Sequence, residues 1–495
     1  MATGETGFKQ NEAEGEFSRG DDEYAKVTLI VVMAAVVSAV SALLYGYDTG
    51  IISGALLQIT KDFGIGSGWE QVIAASILVG AVIGALLGSR LSERLGRHRT
   101  TLIVATVYVI GALACSVSPS PITLSLSRVL LGFAVGGATQ VVPMYVAELA
   151  PAKHRGRLVL TFQVGIGVGI VVSTLVGASQ QFPWRVMIGM ASVPAFLMLL
   201  FMLRLPESPR WLVSMDRNDD AREVLKRIRR TGASVEEELN EIEEIEEKER
   251  EAGASNRGWR GLRAAWVRPA LVVGCGIAMF TQLSGIEMIV YYSPTILTDN
   301  GFSTNTALLV SVGLGVTYLI MMIVGLSIVD RVGRRRLTLV MVPGAAAALF
   351  VLGTLFVTGN SGRSAVPFIV ACLIVFMFFN AGGLQLMGWL TGSEIYPLAV
   401  RGAGTSAQSA TLWSTNVLIT LTLLTIINTV GVGQTMWLYG AFNVAAWIFV
   451  WRLMPELTGR SLERIEAQLS SGRFKPRDFE KAPAQPTGER SPSPA

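Results

Sequence analysis

Charge is scarce in this 495-residue chain: Asp, Glu, Lys and Arg make up 16% of it against 51% hydrophobic residues, and its mean hydropathy is +0.49. That balance excludes a string of water-soluble domains and implies a chain that crosses a bilayer many times. Cysteine is nearly absent. Cys115, Cys275 and Cys372 all lie inside apolar runs, which excludes a disulfide framework and a paired-cysteine metal site. Histidine is rarer still: His98 and His154 both sit in basic connectors, so no zinc or haem centre is expected. The N-terminus is acidic (Glu12, Glu14, Glu16, Asp21, Asp22, Glu23) and lacks the basic start of a cleavable signal, so the first hydrophobic run is expected to be a retained helix. The net charge of +4 does not indicate nucleic acid, because the basic residues form short clusters between apolar runs.

What the chain has instead is long charge-free stretches. They cover Val27–Tyr47, Thr100–Ser127, Leu158–Trp184, Val186–Leu203, Gly301–Val329, Leu337–Gly362, Ser364–Ser393 and Gly402–Trp451, several exceeding the roughly 20 apolar residues that span a bilayer. Splitting them at turn-like breaks such as Ser118-Pro119-Ser120-Pro121, Asp299-Asn300-Gly301 and Gly431-Val432-Gly433-Gln434 predicts about twelve transmembrane helices. An even number puts both termini on one side. Connectors 2–3, 4–5, 8–9 and 10–11 hold Arg90, Arg94, Arg97, Arg99, Lys153, Arg155, Arg157, Arg331, Arg334, Arg335, Arg336 and Arg401, whereas the opposite connectors hold only Lys61, Arg185 and Arg363. By the positive-inside rule, both termini and the middle connector are expected in the cytoplasm of a multi-pass cell-membrane protein.

The expected layout is a tail over 1–26, six helices over 27–204, a connector over 205–267, six more helices over 268–454, and a second tail over 455–495. From Ser234 the connector reads as helix: Ser234 and Glu237 fit a capping box, and Val235, Leu239, Ile242 and Ile245 make one apolar stripe. The Glu run over 236–251 reads as its solvated face. After Phe474 the proline-rich tail reads as disordered.

The two halves repeat one another. Ser89-Arg90-Leu91-Ser92-Glu93-Arg94-Leu95-Gly96-Arg97 recurs 236–237 positions later as Gly325-Leu326-Ser327-Ile328-Val329-Asp330-Arg331-Val332-Gly333-Arg334. Glu148 through Arg155-Gly156 recurs as Glu394 through Arg401-Gly402, and Pro206-Glu207 as Pro455-Glu456. Three motifs in the same order in both halves point to two six-helix bundles around a central site. Basic topology signals alone do not require acids at matched offsets. Glu93, Arg94, Arg97, Glu148, Arg155, Glu207, Asp330, Arg331, Arg334, Glu394, Arg401 and Glu456 therefore read as an inner-gate network of charge-assisted hydrogen bonds. Glycines 80, 84 and 88, with 165 and 169, have the small-xxx-small spacing of close helix packing.

Further elements carry a family resemblance over 27–465: Gly46-Tyr47-Asp48-Thr49-Gly50, Arg128-x-x-x-Gly132, Pro143-Met144-Tyr145-Val146-Ala147-Glu148, Pro206-Glu207-Ser208-Pro209-Arg210-Trp211-Leu212, Gln282-x-x-Gly285 with Tyr291-Tyr292, and Pro455-Glu456-Leu457-Thr458-Gly459-Arg460-Ser461-Leu462. The chain resembles the sugar porter family of the major facilitator superfamily. The resemblance implies an all-α membrane protein of 12 transmembrane helices in two pseudo-symmetric bundles. It also implies proton-coupled uptake of a hexose or pentose by alternating access.

Asp48 lies at membrane depth, where a carboxylate needs a partner or a proton, and Arg128 in helix 4 is the available partner. The resemblance makes Asp48 the proton acceptor and Arg128 the residue that tunes it; a fixed structural ion pair is the alternative. Gln163, Gln282, Trp389 and Asn416 are amide or indole groups in apolar helices, suited to a hydroxyl-rich ligand, with interhelical bonding as the alternative. Tyr292 and Trp413 are weaker candidates. Where the family has paired Gln and then Asn in helix 7, this chain has Gln282 and Glu287; where it has Gly-Pro before the helix 10 Trp, this chain has Gln385-Leu386-Met387-Gly388-Trp389, so an amide appears and a hinge is lost. Glu287 is a candidate second proton site or ligand acceptor, and an acid there resembles plant-type polyol porters. The rival readings are a polyol or cyclitol symporter, a uniporter and a non-transporting sugar sensor. No catalytic constellation is present, so no enzyme activity and no cofactor beyond the coupling proton are expected. The expected partners are a small sugar or polyol and the lipid bilayer, with a monomer as the default and no nucleic acid.

Overall fold

The computed structural model describes residues 28–229, 232–251, 258–359, 365–460 and 462–480, with the side chains of 152–160, 232–234, 248–251, 393, 398, 462–463 and 480 outside the description. The expected N-terminal tail, the Arg155 and Arg157 side chains, Arg363 and the last residues of the C-terminal tail fall outside it.

Apolar runs of this length have one stable solution in a bilayer, because every backbone N–H and C=O must be paired within the segment. The result is twelve long helices and, among the described residues, no strand. The first six are α1 (Leu29–Phe63), α2 (Ser67–Leu95), α3 (Arg97–Ser116), α4 (Pro121–Leu149), α5 (Ala152–Ser179) and α6 (Trp184–Gly189 continuing as Ser192–Met202). The second six are α7 (Arg268–Leu283 and Ile286–Asp299), α8 (Thr304–Val332), α9 (Arg334–Val357), α10 (Val366–Gly382 and Leu384–Ile395), α11 (Arg401–Val430) and α12 (Val432–Leu453). Eleven of these spans are long and apolar enough to cross a bilayer. The twelfth, α12, has 22 residues and so reaches across about 30 Å, but Gln434, Thr435, Tyr439 and Asn443 dilute its apolar content.

Small residues set how closely the helices approach. A side chain on Gly54 of α1 would come within 2.7 Å of the Gly177 Cα of α5, and one on Gly165 of α5 within 2.7 Å of Ala42. Gly80 and Gly84 of α2 likewise lie against the α4 backbone at Val129 and Phe133, so the glycine spacing does serve packing. α1 pairs with α5, α2 with α4 and α9 with α12; the halves meet along two seams, α2 against α11 and α5 against α8.

The sequence repeat is also a backbone repeat. Gly96 turns α2 into α3 at φ 94°, ψ 163°, and Gly333 turns α8 into α9 at φ 97°, ψ 148°, a left-handed region that only glycine enters without strain.

The connector carries helices over Pro209–Ser214, Asn218–Ile228, Gly232–Glu251 and Gly258–Gly261. The third is already under way at Gly232, so Ser234 lies in its first turn and is not the cap the sequence suggested. Its stripe packs as expected, with Val235, Leu239 and Ile242 buried, and Arg229 ties it to the bundle by bonding Glu238 at 2.7 Å and the Leu149 carbonyl at 2.9 Å. In the tail Leu462–Ser470 is helical, and beyond Phe474 the structure departs from the expected disorder, because Pro476–Glu480 is helical too. Phe479 is buried against Phe474, and Arg460 stacks 4.8 Å over its ring and donates to its carbonyl. Proline suits the first turn of such a helix, where its missing N–H is not needed.

Candidate functional site

At one end of each half, three charged residues form the same constellation. Arg97 meets Glu148 at 3.0 Å, and Glu207 accepts the backbone N–H groups of Arg97 and His98 at 2.8 and 2.9 Å. In the second half Arg334 meets Glu394 at 2.7 Å, and Glu456 accepts the N–H groups of Arg334 and Arg335 at 2.8 and 3.1 Å. Each Pro-Glu motif thus supplies a carboxylate that caps the N-terminus of α3 or α9, where free N–H groups and the helix dipole favour negative charge. Asp330 adds a bond to Arg334 at 2.7 Å. Glu93 offers its carbonyl to the Trp211 indole, and Arg401 lies against the Tyr396 carbonyl at 3.5 Å. Arg94 and Arg331, each two residues before its turn glycine and exposed, lie outside this constellation. These ion pairs are made within each half; across the seam at this end, Gln140 of α4 donates to Ser409 of α11 at 2.5 Å.

The polar residues of the apolar helices converge midway along the halves. α7 and α10 are each interrupted there, at Ser284-Gly285 and at Gly383. Gly285 takes φ 94°, and Gly383 breaks α10 six residues before Trp389, so α10 is jointed despite lacking Gly-Pro. Broken helices expose helix ends at membrane depth, where they can bind polar ligands. Gln282 ends one segment, Glu287 stands in the first turn of the next, and Asn380 and Gln385 flank the α10 break.

These groups are buried and underused. Both polar side-chain atoms of Gln282 and of Asn380 lack a hydrogen-bond partner, as do Gln163 Oε1, Glu287 Oε2, Gln385 Oε1, Trp413 Nε1 and Asn416 Nδ2. Gln282 is 1% exposed and Glu287 5%. Unpaired buried polar atoms are costly, so a cluster of them marks a place built for something else to bind. Around it Tyr45, Trp389 and Trp413 form an edge-to-face triangle with ring centroids 5.3 to 6.4 Å apart. Tyr292 stands apart: its hydroxyl is bonded to the Thr420 carbonyl at 3.3 Å, and it is fully buried in the packing of α7 on α11.

Asp48 and Arg128 are both buried, at 4% and 1% exposure, but they make no ion pair. Tyr108 of α3 donates its hydroxyl to Asp48 Oδ2, while Arg128 Nε donates to the Ile73 carbonyl of α2 at 2.9 Å. Arg128 remains within electrostatic reach of Asp48 and of Tyr291. A cavity lies between these groups, lined by Tyr45, Asp48, Ala81, Val135, Tyr291 and Trp413 among others, and so walled by both halves. At the end opposite the charged constellations, Gln71 of α2 bonds Thr425 of α11 at 3.2 Å. Helix α11 is thus tied to the first half on both sides of the cavity.

A family model described as sugar (and other) transporter matches residues 34–469. The chain belongs to this family of sugar transporters. It is 36% identical over 437 residues to a D-xylose transporter of Levilactobacillus brevis, covering 87% of this chain and 94% of the relative. It is 35% identical over 440 residues to the major myo-inositol transporter of Bacillus subtilis, covering 87% and 92%. Among solved structures it resembles the proton:xylose symporter XylE bound to 6-bromo-6-deoxy-D-glucose (TM-score 0.75, 26% identity, 90% of this chain and 100% of that one). The fold is therefore the twelve-helix major facilitator fold in a multi-pass membrane protein, and the family is one of transporters.

Several residues at the family site escaped sequence reading. Tyr45 precedes Asp48 by three residues, one helical turn, and that spacing could have revealed it. Asn380, a lone amide in an apolar run, carried the same signal as Gln163. Tyr108 carried none, because a tyrosine in an apolar helix reads as packing until the fold brings it to Asp48.

Proposed function

We propose that this protein carries a monosaccharide, a hexose or a pentose, into the cell together with a proton by alternating access. The observation that supports it best is the shared cavity: the Asp48 carboxylate and the aromatic side chains of Tyr45, Tyr291 and Trp413 face one space walled by both halves. Amides that both donate and accept match sugar hydroxyls, and aromatic faces match the C–H side of a sugar ring. The roles follow. Gln163, Gln282, Gln385, Trp389 and Asn416 hold the sugar, Asp48 carries the proton and Arg128 tunes it.

The halves, 27–204 and 268–454, rock about the cavity while their own capped charge clusters stay intact. Opening toward the cytoplasm breaks Gln140–Ser409; opening outward breaks Gln71–Thr425. The basic connectors put the charged end, the 205–267 connector and both tails in the cytoplasm. The protein works as a monomer, without a cofactor beyond the proton and without enzymatic chemistry. The test is substrate-driven proton entry in proteoliposomes with Asp48→Asn as control.

Glu287 favours a second reading, a polyol or cyclitol substrate, because a carboxylate in the first turn of the second α7 segment is a strong acceptor for a ring rich in hydroxyls. Competition of myo-inositol against labelled D-xylose decides between the two.

A further inference from the structure

The hydrogen bonding of Asp48 has a feature the symport scheme does not use. Tyr108 carries one hydroxyl proton and has two acceptors within reach: Asp48 Oδ2 and the Leu44 carbonyl, 3.1 Å away and one turn earlier on α1. Both acceptors belong to α1, whereas Tyr108 belongs to α3, so the arrangement is fixed by packing within one half. Arg128 is occupied with Ile73.

We propose that Tyr108 is the positioning residue that lets Asp48 alternate between its charged and protonated forms without leaving its place. With Asp48 charged, the tyrosine hydroxyl donates to the carboxylate. When a proton arrives, the carboxylic acid donates to the tyrosine oxygen, and the tyrosine proton turns to the Leu44 carbonyl. Every group is paired in both states, which satisfies the requirement on buried polar atoms throughout the cycle. Proton binding then breaks no ion pair, and Arg128 senses the charge from a distance. This rests on the assignment of Asp48 as the proton carrier.

The surroundings limit which other groups could take part. The titratable and charged groups facing Asp48 are Tyr45 and Tyr47 on α1 itself, Tyr108 and Cys115 on α3, Arg128 on α4 and Tyr291 on α7; Glu287 of α7 and Tyr318 of α8 stand beside Tyr45. The Tyr47 hydroxyl is committed to the Met187 carbonyl at 2.7 Å. From α2 the cavity wall is Ile77, Leu78 and Ala81. Among the described residues, Tyr108 alone bonds the carboxylate.

The test compares wild type, Tyr108→Phe, Asp48→Asn and the double variant in proteoliposomes, with D-xylose, D-glucose, D-galactose and myo-inositol as probes, over external pH 5 to 9. The bond to the charged carboxylate is stronger than the bond to the neutral acid. Its loss in Tyr108→Phe therefore favours the protonated form, and the pH midpoint of proton-driven uptake moves up by about one unit. Substrate counterflow, which needs no net proton movement, stays within about twofold of wild type, and in the Asp48→Asn background Tyr108→Phe changes nothing further. An unmoved midpoint overturns the proposal. So does loss of counterflow together with uptake, the mark of a packing role, and so does a shift that persists in Asp48→Asn. A wild-type profile with no midpoint at all overturns the symport reading itself, and is seen without any Tyr108 variant.

Discussion

Gln140 on α4 and Ser409 on α11 share a 2.5 Å hydrogen bond across the seam between the two halves, on the same side of the cavity as the paired charge clusters. The strong ion pairs nearby are each confined to one half, so this bond, with the contacts around it, is what must part for the cavity to open at that end. Removing one such bond costs about 1 kcal/mol of the closed arrangement, which is roughly fivefold in population. Gln140→Ala is expected to raise cytoplasmic thiol-reagent labelling of a cavity cysteine, introduced at Val135 in a cysteine-free background, by about that factor. Unchanged labelling would show that the seam is held elsewhere.

The capping carboxylates make a different prediction. Glu207 and Glu456 each satisfy the first N–H groups of a helix, so Glu207→Ala and Glu456→Ala each cost about 1–2 kcal/mol of stability. The two variants should lower the melting temperature in detergent by similar amounts, because the two sites are structural copies. A large loss for one and none for the other would contradict the equivalence of the halves.

The fold was legible because its signals are physical necessities: charge-free length, glycine turns and a motif repeated in both halves. The candidate site was half legible. Gln163, Gln282, Gln385 and Asn416 stand out as polar groups in apolar helices, and burial without partners is what the structure adds. That Asp48 bonds Tyr108 and not Arg128, the partner the sequence offered, was not legible, because which of several neighbours a buried carboxylate bonds depends on side-chain reach across three helices. Nor was the joint in α10, where Gly382-Gly383 does what a Gly-Pro pair was expected to do. The 476–480 helix was hidden for another reason: its anchor, Arg460 on Phe479, is a contact between distant residues in a proline-rich segment.

Gln282 and Asn443 separate ligand binding from packing. Neither Gln282 side-chain polar atom is bonded within the protein, so Gln282→Leu should leave stability unchanged or slightly raised while weakening sugar binding about tenfold, the value of one good hydrogen bond to a ligand. Asn443 donates to the Ser284 and Tyr439 carbonyls at 2.9 and 2.8 Å, so Asn443→Leu should do the opposite, costing about 1–3 kcal/mol of stability. Thermal melting with and without D-xylose or myo-inositol measures both.

Glu287 should govern which ring is preferred. Glu287→Gln keeps size and removes charge, and is expected to change the ratio of myo-inositol to D-xylose uptake by at least fivefold while leaving expression intact. Equal losses for both substrates would assign Glu287 to the transport cycle and not to recognition.

The central claim, that sugar entry is obligatorily coupled to a proton carried by Asp48, is tested most directly in lightly buffered, de-energised cells. External pH is recorded during pulses of D-xylose, D-glucose, D-galactose and myo-inositol, in wild type and in Asp48→Asn. The account predicts a rise in external pH for the transported sugar, abolished in Asp48→Asn although labelled sugar still equilibrates across the membrane. Labelled sugar entering the wild type with no pH rise, at a rate that Asp48→Asn leaves unchanged, would contradict it and make the protein a facilitator whose Asp48 is structural.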